Sequence, residues 1–283
     1  MTHQTHQLTH VLAATDFSGN ASAAVDQAAA VARGQEARLT ILHVDTGHEQ
    51  DPPGKLANHV GEIEDLAVDT VVRQGHADEV IVEVAAEVGA DLIVTGTRGH
   101  TGMARFFLGS VAEKVVRMAQ TNVLVARGSN GPEGLFERIL VPTDFSDASE
   151  KALHLAMLMA APGATVELFH AWQYPPGTVV RGIPDHEHNP LNALQREIVA
   201  TANDNGRKWV ERHASTELTL RFAHGYSPSA AVVQNKLEKE GFDLVALGTH
   251  GRRGFRRFVL GSVAEATVRH SPCSVLVAHA GDL

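Results

Sequence analysis

The sequence predicts an α/β protein made of two tandem doubly wound domains, Rossmann-like or flavodoxin-like, each with a five-stranded parallel sheet. Three observations lead there. Short runs that are apolar nearly throughout alternate with helical patterns, as in a parallel sheet covered on both faces. The chain also repeats itself: Val11-Leu12-Ala13-Ala14-Thr15-Asp16-Phe17-Ser18 returns as Ile139-Leu140-Val141-Pro142-Thr143-Asp144-Phe145-Ser146, and the step from Asp16 to Asp144 is 128 residues. Similarity over most of each half marks duplication of a whole domain, not a short solenoid unit. Finally, 283 residues accommodate two ordinary domains, each with its own core. We place domain 1 at 1–129, with a shortened middle, a linker at 130–137 and domain 2 at 138–283.

Each opening strand leads to an alanine-rich helix, Ala21–Ala32 and Ala148–Ala160, with Ser18 and Ser146 as N-caps and Gly34 and Pro162-Gly163 as stops. Strands Leu39–Val44 and Thr165–His170 follow, carrying His43 and His170 at their ends as buried, hydrogen-bonded side chains rather than catalysts. The middles then differ, since His43 to Gly75 is 32 residues and His170 to Gly225 is 55. The second half spends the excess on a proline-rich loop and a long helix from Leu191 to about His213; the first keeps only Gly54 to about Leu66. Strands Val68–Arg73 and Leu218–Phe222 come next. Helices Ala77–Val88 and Pro228–Glu240 follow, the second with Ser227 as cap and Pro228 at the first helical position, and Gly89 and Gly241 end them. Strands at Asp91–Thr95 and Asp243–Leu247, one more helix, and strands Val123–Ala126 and Ser274–Val277 complete each copy.

The chemistry concentrates where the fourth strand ends. Gly96-Thr97-Arg98-Gly99 is followed by Phe106-Phe107-Leu108 and Gly109-Ser110-Val111, and Gly248-Thr249-His250-Gly251 by Phe258-Val259-Leu260 and Gly261-Ser262-Val263. A strand that ends in glycine and re-enters a helix at Gly-Ser aims unpaired backbone N–H groups into one space, which suits a phosphate. No Gly-Lys-Ser/Thr closes the loop, so it is not a Walker motif, and its glycines are spaced too widely for the dinucleotide fingerprint. Asp16 and Asp144 lie at neighbouring strand ends, where doubly wound domains bind their ligands.

Gly-x-x-Gly, nine residues, Gly-Ser resembles the nucleotide loop of the universal stress protein family in its ATP-binding branch, and the resemblance extends over nearly the whole chain as two copies. It implies ATP, with or without Mg2+, as the ligand. The first site would comprise Asp16, Val44, Gly96, Arg98, Gly99, Gly109, Ser110 and Val111; the second Asp144, Ala171, Gly248, His250, Gly251, Gly261, Ser262 and Val263. In the family an acidic residue meets the adenosine, the end of the second strand meets the base, and the glycine loop holds ribose and phosphates. The resemblance also implies pairing of the two copies through their last strands, an intramolecular pseudo-dimer, and homodimers of the chain are compatible with it. The first loop carries Arg98 and Arg105 whereas the second carries Arg252, Arg253, Arg256 and Arg257, so tighter binding is expected at the second.

Composition narrows the rest. With 43% hydrophobic and 20% charged residues the chain is globular, and the absence of a membrane-length apolar run or a signal-like N-terminus leads us to expect a cytoplasmic protein with no membrane partner. A net charge of −9 argues against nucleic acid. Residues 1–129 hold 9 Lys+Arg against 16 Asp+Glu and the remainder 15 against 17, which makes the second half the better host for a polyanion. The sole cysteine, Cys273, sits in a strand and reads as a buried thiol. His3, His6 and His10 share a tail and Asp185-His186-Glu187-His188 a loop, but nothing fixes their geometry, so no metal site is assigned. Ser110 and Ser262 read as N-caps as well as phosphate contacts. The loops lack a lysine and an obvious base, so they describe a holder of nucleotide rather than a strong catalyst. The expected function is ATP-dependent regulation of an unidentified protein partner; a weak ATPase or phosphotransferase and a nucleotide-free stress scaffold are the alternatives.

Overall fold

The computed structural model describes residues 7–47, 51–61, 63, 65–97, 108–128, 135–175, 190–226, 229–249 and 260–279. The first half runs β1 (His10–Thr15), α1 (Gly19–Gly34), β2 (Arg38–Asp45), α2 (Pro52–Gly61), β3 (Val68–Gln74), α3 (Ala77–Val88), β4 (Leu92–Gly96), α4 (Ser110–Met118) and β5 (Asn122–Ala126). The second runs β6 (Phe136–Pro142), α5 (Asp147–Leu158), β7 (Ala160–Trp172), α6 (Pro190–Arg212), β8 (Thr219–Tyr226), α7 (Ser229–Glu240), β9 (Leu244–Gly248), α8 (Ser262–His270) and β10 (Ser274–Ala278). Within each half the sheet is parallel, in the order 3-2-1-4-5 and its equivalent 8-7-6-9-10. Strand order reverses beside β1 and beside β6, and a doubly wound sheet opens its ligand crevice at such a reversal.

Both faces of the sheet are covered. Val11 and Ala13 join one buried cluster with α1, α2, α5 and α6, while Leu12 and Ala14 join a second with α3, α4, α7 and α8. That is why the strands carry apolar residues at every position. Helices α1 and α5 begin where expected, on Ser18 and Ser146, whose hydroxyls accept from Ala21 N and Ser149 N. Helix α3 spans the predicted residues and stops at Gly89, which takes the left-handed conformation at φ 66°.

Several boundaries differ from the sequence reading. Gly34 is the last helical residue of α1, and Gln35 is the cap. Helix α5 ends at Leu158 because the chain enters β7 at Ala160, tied by Phe136 N–H to the Met159 carbonyl at 3.1 Å. Pro162-Gly163 therefore lie within β7 instead of stopping the helix. Phe136 and Glu137, assigned to the linker, begin β6. The crossover helix of the first half is short, 10 residues in α2 against 23 in α6, and Leu56 is its buried anchor. Ser227 and Pro228 lie outside the described residues.

The two sheets form one ten-stranded sheet through β5 and β10, which pair antiparallel. Leu124 pairs with Leu276, its own repeat equivalent, flanked by Val123 with Val277 and Val125 with Val275. Such self-complementary register is that of a two-fold interface, here within one chain. Around it Arg117 reaches Glu265 at 2.8 Å and Arg269 reaches Glu113 at 3.0 Å, another matched pair. These side chains are 34–48% exposed, so the joint rests on the strand ladder and its leucines. Arg269→Ala is expected to cost less than about 1 kcal/mol in chemical denaturation, with the difference shrinking in high salt.

Candidate functional site

Each half builds the same corner after its first strand. Thr15 Oγ1 accepts from Phe17 N at 3.1 Å, and Asp16 Oδ1 accepts from Ser18 N at 3.0 Å and Ser18 Oγ at 2.6 Å. In the second half Thr143 Oγ1 accepts from Phe145 N at 2.9 Å, and Asp144 Oδ1 accepts from Ser146 N, Ser146 Oγ and Ser149 Oγ at 3.1, 2.5 and 2.8 Å. Phe17 and Phe145 sit in the left-handed region, each at φ 61°. A bulky residue adopts that conformation only when its surroundings hold it there. Phe17 packs on His43 with ring centroids 4.4 Å apart, and Phe145 on His170 at 4.8 Å. Those imidazoles in turn use Nδ1 to bind the Thr15 and Thr143 carbonyls at 2.9 and 2.8 Å. The histidines thus lock the end of the second strand to the end of the first and fix where Asp16 and Asp144 stand. Val44 and Ala171 follow them, half-buried, at the strand tips.

The glycines of the repeated loop divide into two kinds. Gly96 ends β4 under the start of α1, where a Cβ would come within 2.9 Å of the Asn20 carbonyl oxygen; at Gly248 it would meet the Ala148 oxygen at 2.6 Å. These two are glycine because a helix backbone lies on them. Gly109 and Gly261 close the neck of the loop, donating to the Thr97 and Thr249 carbonyls at 2.6 and 2.9 Å. Both have extended torsions, φ −67° and −62°, open to any residue. A Cβ at Gly261 would meet Thr249 O at 3.5 Å, an ordinary contact.

Gly109 and Gly261 are also the N-caps of α4 and α8, with no side-chain cap bond at either. This corrects the sequence reading of Ser110 and Ser262, which occupy the first helical position, exposed, and do not cap. Helices α1 and α5 are closed by serine hydroxyls, whereas α4 and α8 have glycine N-caps, which have no side chain to offer the first-turn backbone N–H groups. Val111 and Val263 pack half-buried against the core below them. Arg98, Gly99, His250 and Gly251 lie outside the described residues, as do Phe106-Phe107, Phe258-Val259 and the arginines at 105, 252, 253, 256 and 257.

Sequence reasoning overlooked two features. One is the Phe–His lock, although the repeated Thr-Asp-Phe-Ser spelled it twice. The other is confined to the second half: Trp172 and Tyr226 pair across β7 and β8 with rings 4.9 Å apart, and Tyr174 lies 5.8 and 5.5 Å from them. The equivalent pair in the first half is Asp45 and Gln74. Cys273 is buried, which pushes its thiol up to about 11, consistent with a packing role. Among the described residues, no helix is long and apolar enough to cross a membrane.

A universal stress protein of Mycolicibacterium smegmatis is 25% identical over 94% of this chain and 96% of its own length. One from Mycobacterium tuberculosis is 29% identical over 70% of this chain, which spans 64% of that relative's length. Among solved structures, a universal stress protein from Archaeoglobus fulgidus shares the fold with a TM-score of 0.64 at 18% identity, covering 96% of this chain and 97% of that one. A functionally unknown protein from Pseudomonas aeruginosa superposes with a TM-score of 0.69 at 19% identity over 98% and 95% of the two chains. The profile of the Universal stress protein family matches residues 8–127 and again 135–279. The chain therefore belongs to the universal stress protein family, of which it carries two copies in tandem.

Proposed function

We propose that this protein binds ATP at both sheet edges and acts as a nucleotide-dependent regulator in the cytoplasm. In each half the phosphates rest on the backbone N–H groups opening α4 or α8, while Asp16 or Asp144 and the strand tip at Val44 or Ala171 face the adenosine. The observation that carries this reading is the start of α4 and α8: in both halves the repeated loop closes on a glycine N-cap, bonded to the Thr97 or Thr249 carbonyl and with no side chain to offer the first turn, where α1 and α5 are capped by serine hydroxyls. A helix N-terminus left in that state attracts an anion through its amides and its dipole. Arg98, Gly99, His250 and Gly251 belong to the proposed loops by position.

Nucleotide extracted from the purified full chain, followed by titration with ATP and measurement of phosphate release, tests the proposal. One or two adenine nucleotides per chain with negligible turnover supports a regulatory holder. Sustained phosphate release moves the reading to an ATPase, and an empty chain that ignores added ATP refutes it.

The second half is expected to bind more tightly. Its net charge is less negative, 15 Lys+Arg against 17 Asp+Glu compared with 9 against 16. It also bears Tyr226 at the strand tips, exposed and packed on the buried Trp172, an aromatic surface that favours a base by stacking. Titration with Gly109→Leu and Gly261→Leu separately checks this. A dissociation constant at least tenfold lower for the chain retaining the second site is expected, and equal constants contradict it.

A further inference from the structure

A second cluster of chemistry lies away from the loops, where α5 packs near the end of α6. Glu150 and His154 are four residues apart on α5 and share one face of it. His213, just past α6, completes the group: its Nδ1 lies 3.2 Å from His154 Nε2, and its Nε2 lies 3.0 Å from Glu150 Oε1. One donor atom from each residue falls within 4.8 Å of the other two.

His213 is 8% exposed, yet its Nε2 finds no aligned hydrogen-bond partner. The Glu150 oxygen is near without lying along the N–H direction. Ring packing helps to hold the imidazole, with Trp209 at 5.9 Å and the His154 ring edge-on at 4.8 Å. His213 thus meets the His154 imidazole through Nδ1 and faces the Glu150 carboxylate through Nε2 without an aligned hydrogen bond, so three donor groups converge around a buried ring whose polar contacts are incomplete.

We propose that Glu150, His154 and His213 form a binding site for one divalent transition metal of the zinc class. Two imidazoles and a carboxylate make a borderline nitrogen and oxygen donor set. It lacks the thiolates that select soft ions and the all-oxygen shell that Mg2+ and Ca2+ require. Tetrahedral zinc with bonds of about 2.0–2.1 Å sets neighbouring donors roughly 3.3 Å apart, close to the His154–His213 separation. Arg212 Nη1 shares Glu150 Oε1 at 3.3 Å, but its side chain is 52% exposed and is free to turn into solvent as the metal takes the carboxylate. The first half has no counterpart, since Ser22 and Asp26 stand at the positions of Glu150 and His154 and α2 is too short to reach them. The site is therefore one per chain.

Calorimetric titration of the full chain with Zn2+, and Co2+ absorption as a reporter of coordination geometry, tests the proposal. His154→Ala and Glu150→Gln remove donors; the second is isosteric and keeps the test alive if the first compromises folding. A control variant replaces His3, His6, His186 and His188 by alanine. We expect one Zn2+ per chain, a tetrahedral Co2+ spectrum, binding weakened at least tenfold in both donor variants, and no change in the control. Absence of Zn2+ uptake, or uptake that disappears in the control and persists in the donor variants, overturns the site and leaves a structural Glu150–His213–His154 contact.

Discussion

Alanine at Gly261 is expected to leave the second half folded while weakening its adenine-nucleotide binding at least tenfold, and a bulky residue there is expected to abolish it. The residue has a backbone conformation available to any amino acid, and a Cβ would make only an ordinary contact with Thr249 O. Losing glycine at an N-cap costs about 1 kcal/mol or less. In the proposed binding mode a phosphate must come within hydrogen-bond distance of the first-turn backbone of α8, and a side chain on the adjoining cap residue is expected to crowd that approach. A tenfold loss of affinity corresponds to about 1.4 kcal/mol. Thermal unfolding and nucleotide titration on the same preparation check the two halves of this expectation. Unchanged affinity in a folded Gly261→Leu chain would show that the nucleotide, if bound, does not use this helix start.

Alanine at Gly248 is expected to do the reverse, lowering stability by about 3 kcal/mol through forced overpacking. A Cβ there would lie 2.6 Å from the Ala148 carbonyl oxygen and 2.7 Å from its carbonyl carbon. Those are backbone atoms of α5, so relief requires the helix to move off β9, where Ala152, Ala156 and Ala246 pack in one buried cluster. A fall of roughly 10 °C in the unfolding temperature of the second half is the expected readout. Gly96→Ala, with its closest contact at 2.9 Å to Asn20 O, should give a smaller loss. A Gly248→Ala chain as stable as the parent would show that α5 shifts at little cost.

Much of the fold was legible because its signals are local. Alternating strand and helix periods, Ser18 and Ser146 before alanine-rich stretches, and Gly89 after α3 each act within a few residues, and the structure places them as read. The end of α5 was misread because Pro162-Gly163 looks like a stop, while pairing of Phe136 with Ala160 draws the chain into β7 first. Ser110 and Ser262 were misread because capping preference says nothing of which neighbour takes the extended torsion, and Gly109 and Gly261 take it.

The sequence by itself determined the duplication, the α/β class and the positions of the glycines, since repetition and hydrophobic period survive without knowledge of any distant contact. Tertiary structure alone decided how the glycines are placed: Gly248 lies beneath a helix brought from a hundred residues earlier in the chain, and Gly261 caps a helix start with no side chain of its own. It also decided that Phe17 and Phe145 take a left-handed conformation that their own preferences oppose, because His43 and His170 hold them there. And it brought His154 within 3.2 Å of His213, 59 residues away, because the length and packing of α6 set that meeting and no local pattern encodes it.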